Sequence, residues 1–222
     1  MTSSSMRKVC PLELPSDSVR ECLEQATSQY EADLVGSPAE AHLAARGIPL
    51  ATARTYRLGY VASPIPGDED MKGRLAIPYQ TTMGGVVNMR FRALQGDGPR
   101  YLSHAGTHNY LFNVRALHRA TDTIAVCEGE LDTVVADGLC DIHAIGVAGA
   151  SNWMKHYPLL LEDYRRVVVL ADGDAAGREF AKKVVSTLNN AVAVPMPDGA
   201  DVNEVFLSEG PDAIRRRAGI GG

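Results

Sequence analysis

Two short acidic runs carry residue types able to do metal-dependent chemistry: Glu128-Gly129-Glu130 with Asp132 close behind, and Asp172-Gly173-Asp174. Each follows an apolar, β-branched stretch of strand length, Thr123–Cys127 and Arg166–Ala171. In open α/β sheets, ligands bind beyond the carboxyl ends of the strands. If these two strands lie parallel and adjacent, three or four carboxylates gather at one edge. The glycines let the backbone turn sharply while acids on either side face a common centre. Such hard oxygen donors suit a divalent cation, and Mg²⁺ keeps waters of its own for phosphate oxygens. A single Asp-Gly-Asp is often only a turn. The second acidic run, at the end of another strand, favours a metal centre.

Charge is the second feature. The 222-residue chain has a net charge of −5, which by itself argues against a nucleic-acid binder. By region the figure changes character. Residues 1–71 balance at −4, residues 72–119 at +6 with Asp97 the lone acid among seven basic side chains, and residues 120–222 at −7. A concentrated cationic segment thus adjoins a concentrated anionic one, a pattern fit for a polyanionic ligand beside a metal centre.

The elements that must position these residues follow from periodicity and punctuation. Ser18-Val-Arg-Glu21 reads as a capping box opening a helix through Tyr30. A second helix starts at Ser37 with Pro38 at its first position and Glu40 closing a box, and ends at Gly47. A third covers Leu50 to Arg57. Arg74–Gln80 and Val86–Leu94 form a hairpin around Met83-Gly84-Gly85. From Thr123 the chain alternates: strands at Thr123–Cys127, Ile142–Val147, Arg166–Ala171 and Ala191–Pro195, helices at Leu131–Asp137, Asn152–Asp163 and Ala175–Leu188. That alternation predicts a parallel sheet covered on both faces, with a boundary near residue 120.

Composition excludes other classes. Hydrophobic residues at 45% and charged residues at 22% are the ordinary globular balance, neither disordered nor fibrous. Cys10, Cys22, Cys127 and Cys140 show no C-x-x-C spacing, so no zinc site is predicted; Cys22 and Cys127 read as buried. The six histidines show no ligand spacing, Trp153 reads as packing, and Arg215-Arg-Arg217 as a solvated helix end. There is no apolar leader, no run near the ~20 residues of a membrane span, and no phosphate-binding P-loop. A soluble, cytoplasmic protein is expected.

Several collinear blocks go further. Glu128-Gly-Glu-Leu-Asp132, Asp172-Gly-Asp-Ala-Ala-Gly-Arg178 and Pro197-Asp-Gly-Ala-Asp201-Val-Asn203 resemble, in order and spacing, the Toprim motifs of bacterial-type DNA primases. Upstream, Leu43-Ala-Ala-Arg-Gly47 with Leu58-Gly-Tyr60, then Arg74-Leu-Ala-Ile-Pro78, Arg90-Phe-Arg92, Pro99-Arg-Tyr-Leu-Ser103 and Leu111-Phe112, resemble the primase RNA-polymerase domain. Toprim blocks are shared with topoisomerases, OLD-type nucleases and recombination proteins; the upstream blocks make the likeness specific to primase.

The resemblance implies an α/β fold: an N-terminal α+β subdomain, then a Rossmann-like, mostly parallel Toprim sheet. The implied division is an N-terminal helix and tail (1–36), a basic subdomain (37–120), Toprim (121–210) and a C-terminal tail (211–222). It implies Glu128, Asp172 and Asp174 as catalytic metal-binding acids, with Asp132 and Asp201 as further ligands of two or more Mg²⁺ or Mn²⁺ ions. Asn203 stands where the family usually has Asp, so one metal subsite is expected to be weaker or to use Glu204. Arg46, Arg92, Arg100 and Tyr101, with Arg115 as a looser match, would bind nucleic acid and nucleotide phosphates, Tyr101 by stacking on a base. The Gly146-Val-Ala-Gly149 loop should face the site.

The implied activity is synthesis of short RNA primers from ribonucleotide triphosphates on single-stranded DNA. A Toprim metal-dependent nuclease and a non-catalytic single-strand-binding module stand as alternatives; a topoisomerase does not fit, for want of a domain to carry its tyrosine. The family's zinc module and C-terminal helicase-interaction domain find no counterpart here. That suggests a pared-down catalytic core from a phage or mobile element, or an excised domain, with a replicative helicase or a separate zinc-binding chain as partner.

Overall fold

The computed structural model describes residues 13–96, 98–119 and 121–220. Two four-stranded sheets stand side by side. Three helices come first, α1 (Asp17–Ala32), α2 (Pro38–Ala45) and α3 (Leu50–Thr55), and then the strands β1 (Gly59–Tyr60), β2 (Leu75–Gln80), β3 (Val86–Arg92) and β4 (Tyr101–Ser103). These strands pair antiparallel in sequence order. The second unit runs β5 (Thr123–Cys127), α4 (Glu130–Leu139), β6 (Ala144–Gly146), β7 (Arg166–Ala171), α5 (Ala175–Val185), β8 (Ala191–Pro195), α6 (Val202–Glu209) and α7 (Pro211–Ala218). Its sheet has the order β6-β5-β7-β8, all parallel.

Side-chain alternation assigns each strand face to a layer. On β2, Leu75, Ile77 and Tyr79 enter a central core, while Ala76 turns back toward α1, where Leu23, Ala26 and Tyr30 meet Met89 and Phe91. On β5 and β7, Ala125, Cys127, Val168 and Leu170 enter that same central core. Ile124, Val126, Val167 and Val169 face Phe180, Ala181 and Val184 of α5 on the other side. Leu43 of α2, Tyr56, Val134 of α4 and Val202 of α6 complete the central core. The two sheets are therefore joined by continuous apolar packing, which fixes one against the other.

Where the chain departs from the expected elements, local chemistry explains it. The α1 cap is Ser16, whose side chain accepts from Val19 N–H, so Ser18 lies inside the first turn. Ser37 caps α2 as expected, but Glu40 reaches the N–H of Gly36 instead of closing a reciprocal box. No α-helix forms over 152–163. Two 3-10 turns, Ala150–Asn152 and Tyr157–Leu160, replace it, with Pro158 denying an amide to a longer helix and Trp153 and Tyr157 anchored under α5. Within 211–220, α7 carries Arg215–Arg217 in its last turn, as the helix end read from the sequence, and buries Ala213, Ile214 and Ala218. Cys127 is buried, but Cys22 lies exposed on α1; Cys10 falls outside the described residues. No described helix is long and apolar enough to cross a membrane.

Candidate active site

β5 and β7 are parallel neighbours with Cys127 opposite Leu170, so Glu128 and Asp172 leave the sheet at the same edge. Asp132 sits in the first turn of α4, Asp174 is the N-cap of α5, and Asp201 is the N-cap of α6. All five carboxylates line one cavity of about 400 Å³, facing Arg46, Arg92, Arg100 and Tyr101 across it. Of the Gly146–Gly149 segment expected to face the site, Gly149 alone lines the cavity, while Gly146 ends β6 and Val147 and Ala148 are buried. The sheet edge thus brings together acids from the β5–α4 and β7–α5 junctions and the α6 cap.

Backbone contacts hold the acidic loops in place. Gly173 N–H donates to Ala200 O at 2.8 Å and Gly199 N–H to Gly173 O at 3.0 Å, tying the loop that carries Asp201 to the Asp172–Asp174 turn. At Gly177 a Cβ would stand 2.3 Å from Asp172 O, so glycine lets α5 start directly against the strand end. Two acids also serve as helix caps. Asp174 Oδ1 accepts from Gly177 N–H and Asp201 Oδ1 from Glu204 N–H, each at 2.7 Å. Asp132 Oδ1 accepts from Asn203 N–H at 3.2 Å. Each of these bonds uses one carboxylate oxygen, and the second oxygen of each group remains as a donor atom for a ligand.

Crowding sets the electrostatics. Asp172 is pushed up to about 8, first by burial, then by Asp132, Glu128, Asp201 and Asp174. Asp132 is pushed up to about 6 by burial and Asp201, against the opposing pull of Asn203 N–H, Arg46 and Arg92. Like charges held this close favour protonation until a cation offsets them. The donor set fits a hard divalent ion: it is all carboxylate, and the buried Asp172 Oδ1 accepts no hydrogen bond. Among the described residues no three His, Cys, Asp or Glu side chains are already placed so that together they could hold a metal ion. The fit therefore rests on donor chemistry and on the unsatisfied Asp172 oxygen.

The opposite wall is cationic. Arg90 and Arg92 alternate onto one face of β3. Arg92 is only 6% exposed, and its Nη1 donates to Tyr101 OH at 2.7 Å. The Tyr101 ring lies 4.3 Å from the Arg90 guanidinium, 5.5 Å from that of Arg92 and 5.9 Å from that of Arg100. With arginines gathered around it, Tyr101 is an organiser of the cationic wall in this geometry, not an open platform for a base. Arg46, at the C-cap of α2, donates to Asn203 Oδ1 at 3.3 Å, and Asn203 Nδ2 donates to Arg46 O at 2.6 Å. Both ends of the Asn203 side chain are thus engaged with Arg46; the amide does not stand as a cavity ligand, while Glu204 does line the cavity.

Arg115 is not brought to this site. It donates to Thr55 O and borders a separate small cleft beside Tyr56 and Phe112. Two residues that stand within the quoted motifs, but to which the sequence assigned no role, do belong here. Glu130, 1% exposed, accepts from Arg90 and from Tyr79 OH, the latter at 2.6 Å. The signal for Arg90 was available, since period-2 spacing places it beside Arg92. Nothing in the spacing marks Glu130 as the buried anchor of that arginine.

Residues 123–212 match the Toprim domain family. The Gene 57 protein of Mycobacterium phage D29 is 43% identical over 150 residues, spanning 66% of this chain and 98% of that protein. A DNA primase of Salmonella typhimurium is 31% identical over 160 residues, 67% of this chain but 26% of the primase, so the chain spans about a quarter of that relative. In structure, the chain resembles the RNA polymerase domain of Mycobacterium tuberculosis primase DnaG, solved in complex with double-stranded DNA. The TM-score is 0.75 at 20% identity, covering 92% of this chain and 81% of that one. Residues 123–212 thus form a Toprim domain, the chain belongs to the same family as the Gene 57 protein of Mycobacterium phage D29, and its fold is that of the primase RNA polymerase domain.

Proposed function

We propose that the chain is a primase catalytic core, joining ribonucleotides into short RNA primers on a single-stranded DNA template. The observation that carries this reading is the cavity in which Glu128, Asp132, Asp172, Asp174 and Asp201 face Arg46, Arg92 and Arg100, with Arg90 on the same wall but paired to Glu130. A nuclease needs the acids and a hydrolytic water. Three arginines opposite the acids, one of them buried, suit a reaction in which a triphosphate and a strand are both held.

In this reading Glu128, Asp172 and Asp174, with Asp132 and Asp201, hold two or more Mg²⁺ or Mn²⁺ ions. Divalent cations bound there supply charge neutralisation and alignment for phosphoryl transfer. Arg46, Arg92 and Arg100 hold phosphate oxygens of nucleotide and strand. The 3′-hydroxyl gives up its proton to solvent as its oxygen attacks the α-phosphorus, a new P–O bond forms, and pyrophosphate leaves with the electrons of the broken Pα–O bond. Burial and crowding favour a proton on Asp172, which a bound cation would displace. A replicative helicase and a separate zinc-binding chain are the protein partners this reading calls for, and the cytoplasm, a host's if phage-encoded, is its place of action. We also keep the boundary near residue 120, with arginines supplied from one side of it and acids from the other.

Incorporation of labelled ribonucleotides on single-stranded DNA, with and without Mg²⁺ or Mn²⁺, tests the proposal. Metal-dependent DNA cleavage without nucleotide triphosphates would replace it with the nuclease reading, and salt-dependent DNA binding without catalysis under either metal with the binding module.

A further inference from the structure

The arginines of the site have partners of two kinds. Arg90 is paired with the buried carboxylate of Glu130, so its charge is compensated. Arg92 and Arg46 hydrogen-bond to neutral groups, the Tyr101 hydroxyl and the Asn203 amide, and feel Asp132 only at longer range, with no ion pair among the described residues. A guanidinium held by a neutral acceptor is fixed in place yet keeps its full charge for an incoming anion.

Asn203 is 2% exposed and makes three contacts that meet at one point. Its Nδ2 donates to Arg46 O at 2.6 Å, its Oδ1 accepts from Arg46 Nη1 at 3.3 Å, and its backbone N–H donates to Asp132 Oδ1 at 3.2 Å. Only an amide can serve the first two together, because one end must donate and the other accept. A carboxylate here would set an oxygen against the Arg46 carbonyl, add a second buried anion beside Asp132, and cancel the charge of Arg46.

We infer that Asn203 is a positioning residue that holds Arg46 in place without neutralising it, so that Arg46 meets the phosphates of the nucleotide with its charge intact. This deepens the primase reading and rests on it for the identity of the anion. The amide thus acts on the anion side of the cavity, not as a weakened metal ligand.

The probe is inorganic tripolyphosphate, which carries the anion without base, sugar or template, titrated calorimetrically into the full chain with chelator present. Asn203→Asp should weaken binding at least tenfold, and Asn203→Ala about threefold, because alanine frees Arg46 without cancelling its charge. A purely structural role would make both losses follow the fall in melting temperature. If Asn203→Asp does not fold, the double variant Asn203→Asp/Asp132→Asn removes the new repulsion while still neutralising Arg46; it should bind at least tenfold more weakly than Asp132→Asn alone. The inference is overturned if the aspartate variants bind as tightly as their references, or lose no more than Asn203→Ala. A wild type that binds tripolyphosphate but incorporates no ribonucleotide would sink the primase reading and leave the positioning role standing. A wild type that does not bind tripolyphosphate would sink both.

Discussion

A Cβ built on Gly173 would stand 1.8 Å from the carbonyl oxygen of Pro197. No side chain fits that gap, so the glycine between Asp172 and Asp174 is what brings the Asp201 loop up to the acidic turn. Gly173→Ala should push that loop away and separate Asp201 from the other acids. The expected outcome is a loss of about 1–3 kcal/mol in urea unfolding, the usual cost of overpacking, together with weaker Mn²⁺ binding by calorimetry. Unchanged stability and unchanged Mn²⁺ affinity would show that the loop is held otherwise.

Divalent-metal affinity should rise with pH. Asp172 is pushed up to about 8, so near neutral pH it carries a proton that the cation must displace. Calorimetry in buffers of different ionisation enthalpy should show proton release on Mg²⁺ or Mn²⁺ binding at pH 7, shrinking toward pH 9. Without metal the sign for stability is the opposite. A carboxyl whose folded pKa exceeds its unfolded value stabilises fully at low pH, and that contribution is lost as pH rises through the folded pKa. Melting temperature in chelator should therefore fall between about pH 4 and pH 8 through this group, and Asp172→Asn should flatten that fall.

Glu130 is buried and its partner Arg90 is partly exposed at the cavity wall. Removing Glu130 leaves the buried Tyr79 OH without its acceptor and unpins Arg90. Glu130→Ala should destabilise by roughly 1–3 kcal/mol in denaturant unfolding, and Glu130→Gln by less. Equal, small effects would mean that Glu130 is not buried as described.

Arg92 and Arg115 should separate cleanly. Arg92→Ala should weaken single-stranded DNA binding and lower the salt slope by about one. Arg115→Ala should leave both unchanged, since Arg115 is turned to Thr55 O away from the cavity.

How far these features were legible in the sequence depends on the kind of signal. The strands Thr123–Cys127 and Arg166–Ala171 stand out because a strand buried on both faces must be continuously apolar, while the half-exposed edge strand Ala191–Pro195 shows through its β-branched, apolar run. The acids at their ends follow from that placement, which is why Glu128 and Asp172 could be put at one edge from spacing alone. Tyr101–Ser103 and Gly59–Tyr60 are too short to show a period, and the Trp153–Leu161 stretch has helical spacing that Pro158 and tertiary anchoring override. Partner choice was the least legible. That Tyr101 serves arginines, that Asn203 serves Arg46, and that Arg115 turns away are facts of three-dimensional approach between segments remote in the chain.

The central claim is that the acids at the β5 and β7 edge carry template-directed nucleotidyl transfer. Its most direct test is ribonucleotide incorporation on single-stranded DNA by wild type and Asp172→Asn, with circular dichroism confirming that both are folded. The account predicts Mg²⁺- or Mn²⁺-dependent primers from the wild type and a loss of at least about a hundredfold in the variant, in the range removal of one key electrostatic group costs. Primer synthesis by Asp172→Asn at the wild-type rate would contradict it.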